Sequence, residues 1–379
     1  MKIIMYSTRN VYEITRQTGG IKRFIELTEY VCKTRPKSIL ISRDNNHVVR
    51  SHDINNFVKL NERPNNGRLL PPEVSLFLSN IPIIRQIKKK SCDVVVIFDT
   101  PTAIGPILSG LQNVILMIRK DMIGYEMVQN QSKLKWLKIF LQWICESVCM
   151  YKSKRIITQC VYDKEVLKKR HPLFKNVIER KTIVQINNAN PSWIVSKSLK
   201  NGQQVLEINP DGFRVCFIGG FGNPRKGQDL FLDAALEVLK CNDNVEFILI
   251  GGGNRLEEYK QRYANDHIKF LGSLENPLPT LKTCDLLVVP SYADSCPNTV
   301  MEALYNSIPV IGSRAGGIPE ILLDEESLFD LQYQSLTERI LYFIHNPSSL
   351  VALKERQKRR KEELTFDWAE RIVEIIEEP

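Results

Sequence analysis

Residues 284–321 read CDLLVVPSYADSCPNTVMEALYNSIPVIGSRAGGIPEI. The apolar run Leu286 to Val289 ends at Pro290-Ser291, and a short polar loop follows. Apolar residues then recur at Val300, Met301, Ala303 and Leu304, near the spacing of one helical face. A second apolar run, Ile308 to Ile311, leads to Ala315-Gly316-Gly317. The pattern predicts strand, loop, helix and strand in succession. In a parallel sheet it sets Asp294, Ser295, Pro297, Asn298 and Thr299 at a strand's carboxyl end. There a helix N-terminus opens toward a ligand, so anion binding is the first expectation. Asp294 and Glu302 stand eight positions apart. With the first in the loop and the second on the helix, two carboxylates can address one ligand from different depths. Carboxylates accept hydrogen bonds from hydroxyls, in which sugars and riboses are rich.

At 379 residues the chain around this stretch is long for one core, and about two domains are expected. A hydrophobic content of 43% and a charged content of 25% are those of a soluble globular protein. Nine cysteines lie scattered without a CxxC pair or paired Cys/His spacing. Neither a zinc site nor a disulfide framework is indicated, and a reducing cytoplasm fits best. The opening MKIIMYSTRN holds too short an apolar run for a signal peptide. No stretch approaches the ~20 apolar residues that span a bilayer. The net charge of +9 leaves two partners open, an anionic membrane surface or a polyanionic ligand. Lysine and arginine cluster at Lys88 to Lys90, Lys133 to Lys138 and Arg356 to Lys361, and solvated basic faces are the common reason for such runs. No aromatic-interleaved basic sheet or recognition helix accompanies the charge, which argues against nucleic acid.

Along the chain, Lys2 to Tyr6 predicts a strand, followed by Gly19-Gly20 and a helix through Val31. A glycine pair at a helix start lets backbone approach a phosphate closely. Ser38 to Ser42 is a second strand, and residues 43–73 are polar, Asn-rich and loop-heavy. Val94 to Phe98 and Val114 to Ile118 are continuous apolar runs suited to buried parallel strands, ending at Asp99 and Arg119. The stretch from Leu134 to Met150, with its flank, mixes Trp136, Leu137, Phe140, Leu141, Trp143 and Ile144 with Lys133, Lys135 and Lys138. Two readings stay open: a helix lying on a membrane, lysines at lipid phosphates, or a core helix with a basic outer face. Arg155 to Thr158 and Ile183 to Ile186 are further strands, with a helix from Lys164 to Arg170 between them. A polar linker spans Lys197 to Gly212. The strand pattern restarts at Phe213 to Ile218, with a glycine-rich loop carrying Arg225 and Lys226 and a helix from Leu230 to Leu239. Val245 to Ile250 precedes Gly251-Gly252-Gly253, without the GxGxxG order of a nicotinamide site.

Asp294-x7-Glu302, Ile308-Pro309-Val310-Ile311 and Gly316-Gly317-Ile318-Pro319-Glu320 together resemble the donor site of retaining GT-B glycosyltransferases of the family 4, or group 1, type. Only the first acid differs, an Asp where that family has Glu. The resemblance is specific from about Phe217 to Ile321. It implies an α/β fold of two Rossmann-like domains with parallel sheets facing a central cleft. Residues 1–198 would form the acceptor-side domain, 199–365 the donor domain, and 366–379 a helix crossing back to the first. Lys226-Gly227 corresponds to the family's donor phosphate loop. The arginine usual five residues before that lysine is replaced by Phe221, and Arg225 is expected to supply its charge. Asp294 would position the sugar, and Glu302 would hold the ribose hydroxyls. Gly251, Gly253 and Leu271 would lie near the base. Gly19 and Gly20 would face the donor diphosphate, with Lys22 or Arg23 helping. Where many relatives carry histidine at the two N-terminal strand ends, Asp99 and Arg119 stand here. Arg119 is assigned to donor phosphate or acceptor, and Asp99 to acceptor hydroxyls.

The reaction so implied moves a hexose or N-acetylhexosamine from a nucleotide-diphosphate sugar, UDP ahead of GDP, to a glycan or lipid-linked hydroxyl with retention. Surface-polysaccharide assembly in the cytoplasm, at the inner face of the membrane, is the expected setting. No cofactor and no metal are expected, and the sequence has no Asp-x-Asp motif. The alternatives are a catalytically inactive nucleotide-sugar-binding subunit and a sugar-nucleotide epimerase on the same fold.

Overall fold

The structure, a computed structural model, describes residues 1–8, 11, 19–43, 56–60, 81, 94–119, 121, 123–124, 127, 135–199, 212–222 and 224–378. Most of the loop-heavy 43–73 region, the Lys88 to Lys90 cluster, the start of the 133–138 basic run and linker residues 200–211 lie outside the described residues.

The apolar runs become parallel strands. In the first sheet, β1 (Ile3–Tyr6), β2 (Ile39–Ser42), β3 (Phe57–Lys59), β4 (Val94–Phe98), β5 (Val114–Ile118), β6 (Arg155–Thr158) and β7 (Thr182–Val184) lie in the order β3-β2-β1-β4-β5-β6-β7. In the second, β8 (Phe213–Ile218), β9 (Val245–Ile250), β10 (Ile268–Gly272), β11 (Leu286–Val289), β12 (Val310–Ser313) and β13 (Leu328–Phe329) take the order β10-β9-β8-β11-β12-β13. All the ladders in both sheets are parallel. Every residue of β1, β4, β5, β11 and β12 is buried, as expected of strands covered on both faces by helices.

Each sheet reverses its order beside its first strand, between β1 and β4 and between β8 and β11. Ligands of open parallel sheets sit at the carboxyl ends of strands flanking such a reversal. The β8–β11 register, with Leu286 opposite Val215 and Val288 opposite Phe217, places the loop after Ile218 beside the loop after Val289. The second sheet packs on a core that includes Phe217, Phe221, Phe231 and Phe247. A separate core, including Ile4, Val95, Leu116 and Ile156, serves the first.

The chain forms two compact units, Met1–Ile186 with Asp367–Pro379, and Asn187–Phe366. Residues 187–198, expected at the end of the first domain, belong with the second. Hydrogen bonds tie them there: Ala189 N donates to Leu364 O at 2.8 Å, and the Asn188 side-chain Nδ2 to Phe366 O at 2.8 Å. The Trp368–Glu377 helix lies in the first unit, where Arg35 pairs with Glu377 at 2.7 Å. Arg23, expected to assist a phosphate, is instead fully buried, its guanidinium 5.1 Å over the Trp368 ring and 3.0 Å from Glu26. It anchors the C-terminal helix against the Gly19–Thr34 helix. Within the polar 43–73 stretch, β3 is a strand that periodicity did not reveal.

Candidate active site

Two glycines bring the loops of the second unit together. Gly227 adopts φ +76, which an L side chain rarely tolerates, and a Cβ there would lie 2.0 Å from Pro290 O. The bare backbone lets the phosphate-loop candidate press against the end of β11. Gly316, at φ +60, does the same on the other side, since its Cβ would meet Asp294 O at 2.2 Å. The next amide, Gly317 N, donates to Asp294 O at 2.9 Å. Tyr292 N donates to Arg225 O at 2.8 Å, and Arg225 Nη1 to Ala293 O at 2.7 Å.

Three charged side chains meet where these loops touch. Lys226 Nζ donates to Asp294 Oδ2 at 2.7 Å, and Arg225 Nη2 lies 3.1 Å from Asp294 Oδ1. Asp294 is buried, and burial alone would raise its carboxyl pKa. Lys226 and Arg225 outweigh that and, with hydrogen bonds from Lys226 and Ser291, hold it below the ordinary carboxylate value. The Asn298–Tyr305 helix starts four residues beyond Asp294, and its cap, Pro297, places no side-chain hydrogen bond on the first turn. The positive end of the helix thus adds to the two cations. One turn in, Glu302 lines a small recess with Ile194, Leu278 and Asn306.

The strand ends on the other side of β8 are glycine-built as well. Gly219 N donates to Ile250 O at 2.9 Å, and Gly251 N to Gly272 O at 2.8 Å, so the loops after β8, β9 and β10 lie side by side. A Cβ on Gly253 would strike Phe221 backbone at 2.5 Å. Leu271 falls at the register shift between Phe270 and Gly272, where β10 bulges.

Residues 212–346 match the family model described as glycosyl transferases group 1. Over its whole length the chain superposes on the Anabaena HepE structure solved with UDP and glucose, at a TM-score of 0.70 and 15% identity, covering 99% of that chain. Over residues 212–346 the second unit thus resembles the glycosyl transferases group 1 family, and the chain has the GT-B fold. Curated relatives of this family include a phosphatidyl-myo-inositol mannosyltransferase of Mycobacterium leprae, 28% identical over 142 residues, 36% of this chain and 37% of that one. A capsular polysaccharide biosynthesis glycosyltransferase, CapH of Staphylococcus aureus, is 29% identical over 171 residues, 39% of this chain and 48% of that one. The matched stretch spans less than half the length of each.

Against the group 1 pattern, Phe221 is the main departure, and the structure gives its reason. The ring is buried, packed edge-on against Phe217 and Tyr259 at 6.1 and 5.3 Å and tilted against Phe270 at 5.8 Å. It serves the core, and Arg225 stands beside Lys226 on the same carboxylate.

Gly19, Gly20, Asp99 and Arg119 lie in the first unit. The two glycines open the Gly19–Thr34 helix. Asp99 and Arg119 follow the adjacent strands β4 and β5, and Arg119 N donates to Asp99 Oδ1 at 3.3 Å. The Arg119 guanidinium sits 5.4 Å over the Phe98 ring. Asp99 holds φ 66 and ψ 145 as the cap of the Thr100–Leu108 helix, a strained conformation for a residue with a Cβ. Sequence spacing pointed to both side chains and gave no sign of that strain. Among the described residues, no group of three or more His, Cys, Asp or Glu could hold a metal ion, and no helix is long and apolar enough to cross a membrane.

Proposed function

We propose that this chain transfers a hexose or N-acetylhexosamine from a nucleotide-diphosphate sugar, UDP in preference to GDP, to a hydroxyl of a glycan or lipid-linked acceptor, with retention of configuration. The observation that carries the reading is the Arg225–Lys226–Asp294 cluster at the head of the Asn298–Tyr305 helix, with Glu302 one turn behind. As the glycosidic bond breaks, negative charge grows on the departing diphosphate while the sugar becomes oxocarbenium-like. Fixed positive groups aimed at that charge are the largest stabilisation available to an enzyme. Arg225, Lys226 and the helix end, worth about half a unit charge, meet the requirement without a metal ion. Arginine stays charged at any working pH, which suits it to a phosphate and unsuits it as a base.

Without donor, Asp294 satisfies both cations. When the diphosphate takes them, the carboxylate is released to accept from sugar hydroxyls. Released in this way, Asp294 is assigned to positioning the sugar and not to forming a covalent intermediate. Front-face attack, with a donor phosphate oxygen taking the acceptor proton, then accounts for retention. Glu302 holds the ribose hydroxyls, with the recess beside Leu278 next to it. Gly251, Gly253 and Leu271 line the base side. In the first unit, Arg119 and Asp99 are assigned to the acceptor. The names of the relatives, a phosphatidyl-myo-inositol mannosyltransferase and a capsular polysaccharide biosynthesis glycosyltransferase, favour a lipid-linked or surface-glycan acceptor.

The departures at Asp294 and Phe221 favour a second reading, a nucleotide-sugar-binding subunit without catalysis. Radiolabelled transfer decides between them. Incubation of UDP- and GDP-sugars with a crude lipid extract and EDTA should give an acceptor-dependent labelled product, reduced roughly a hundred- to a thousandfold in Lys226→Ala. Donor binding without such a product would favour the binding subunit. An epimer or free sugar formed without acceptor would mark an epimerase.

A further inference from the structure

The charged cluster of the second unit is closed on itself. Lys226 Nζ lies 2.7 Å from Asp294 Oδ2 and Arg225 Nη2 lies 3.1 Å from Asp294 Oδ1, so each carboxylate oxygen holds one cation. Asp294 is only 7% exposed, whereas the Arg225 and Lys226 side chains keep 25% and 27% of their surface in solvent. The cations are open to a ligand, and the carboxylate is nearly closed.

Nor can the carboxylate follow its cations when they turn to a ligand. Its backbone is pinned, since Gly317 N donates to Asp294 O at 2.9 Å and Gly316 packs bare against the same carbonyl. Its side chain takes a further hydrogen bond from Ser291, which is buried and whose own carbonyl accepts from Ser313 Oγ at 2.5 Å. An anion that draws Lys226 and Arg225 away therefore leaves a buried negative charge behind. Breaking a buried pair in this way is strongly unfavourable, and the anion adds a like charge close by.

Two ligands answer that penalty differently. In a sugar nucleotide the outer phosphate is a diester with one negative charge, and the sugar beyond it offers hydroxyl donors to the carboxylate. A free nucleoside diphosphate offers none, and its terminal phosphate takes a second negative charge above a pKa of about 6.

We propose that Asp294 is an internal competitor for the diphosphate subsite, so that the site holds an intact sugar nucleotide in preference to the free diphosphate. The inference rests on the donor-site reading above and extends it, because it makes Asp294 the residue that decides which form of the nucleotide stays bound. A charge left unpaired by the wrong ligand is an effective means of discrimination. After transfer the carboxylate loses its hydroxyl partners and takes back Lys226 and Arg225, and the product diphosphate leaves. The same competition acts on any sugar-free diphosphate, inorganic pyrophosphate included.

The test is calorimetric titration, in EDTA, of wild type and Asp294→Asn with UDP, GDP, UDP-glucose, UDP-N-acetylglucosamine, GDP-mannose and inorganic pyrophosphate. Asp294→Asn removes the negative charge and keeps the volume. It should bind pyrophosphate and the preferred diphosphate at least about tenfold more tightly than wild type does, because the cations are no longer contested. The matching sugar nucleotide should gain less or weaken, since it loses its carboxylate partner. If Asp294→Asn does not fold, Asp294→Ser, also neutral, makes the same comparison. Equal or weaker binding of the diphosphate by the neutral variant than by a wild type that binds it overturns the proposal and leaves the donor site standing. A gain of the same size for diphosphate and sugar nucleotide also overturns it. Absence of binding by every ligand to every form overturns the donor-site reading and the proposal together.

Discussion

In the second unit, the carboxyl ends of β8, β11 and β12 carry two cations, two carboxylates and two glycines pressed against backbone. In the first unit, the corresponding ends of β4 and β5 carry Asp99 and Arg119, joined by one amide-to-carboxylate bond and a ring contact. The difference follows from what each edge is proposed to hold. A diphosphate with its ribose is one fixed chemical object, so it needs charge, amides and a ribose acceptor at set distances. Only certain residues at certain spacings deliver that. An acceptor hydroxyl asks for far less, and a strand end can meet it with whichever polar group the topology places there. The donor edge is therefore over-specified and the other edge permissive.

Substitutions can break this contrast. The largest effect is expected from Phe221→Arg, which restores the family's usual residue. Its ring lies among Phe217, Tyr259 and Phe270, so the change removes core packing and buries a charge. It should cost about 4 kcal/mol or more and unfold the second unit in a denaturant titration without raising activity. Next, Lys226→Ala should lower kcat/KM for transfer by roughly a hundred- to a thousandfold, as loss of a fixed charge at a leaving group does. Arg119→Ala should cost less and act on the acceptor KM.

Gly227→Ala should destabilise by about 1–3 kcal/mol, because it combines a strained φ with a clash on Pro290 O, and donor binding should weaken with it. Acidification sharpens the same point. Asp294 is held below its ordinary value of 3.8 in the folded state, so its stabilising contribution is complete above that value. It is lost as pH falls through the lower folded value. Asp294→Asn should lose that acid-side slope in thermal melts. The smallest effect is expected at the permissive edge. Asp99→Gly relieves φ 66 but gives up the bond from Arg119 N, so its unfolding free energy should stay within about 1 kcal/mol of wild type. Its acceptor-dependent rate should fall while donor binding is unchanged.

The same asymmetry governs what could be read from sequence. Val94–Phe98, Val114–Ile118, Phe213–Ile218, Val245–Ile250 and Leu286–Val289 were legible to the residue, since strands buried on both faces are nearly all apolar, and the two charges among them, Arg214 and Glu246, pair with each other at 3.4 Å. β3 was hidden because three residues at a sheet edge carry no periodicity. β12 was misplaced by two residues. Ser307 takes φ 56 and Ile308 N still bonds to Ala303 O, so the turn out of the helix runs further than its apolar run suggested. At the site, glycine, lysine and carboxylate positions were readable because their spacing is local. The pairing of Lys226 with Asp294 spans 68 residues, and only the fold brings the two together. Nor could the burial of Arg23 be seen, because it depends on a partner element far along the chain.

The most direct measurement is the heat-denaturation shift with UDP, GDP, ADP and their sugars, in the presence of EDTA, on wild type, Lys226→Ala and Glu302→Ala. The expected result is a selective shift with one nucleotide, largest for UDP, reduced in Lys226→Ala and lost in Glu302→Ala. No shift with any nucleotide at millimolar concentration would contradict the assignment of Arg225, Lys226, Asp294 and Glu302 as a donor site.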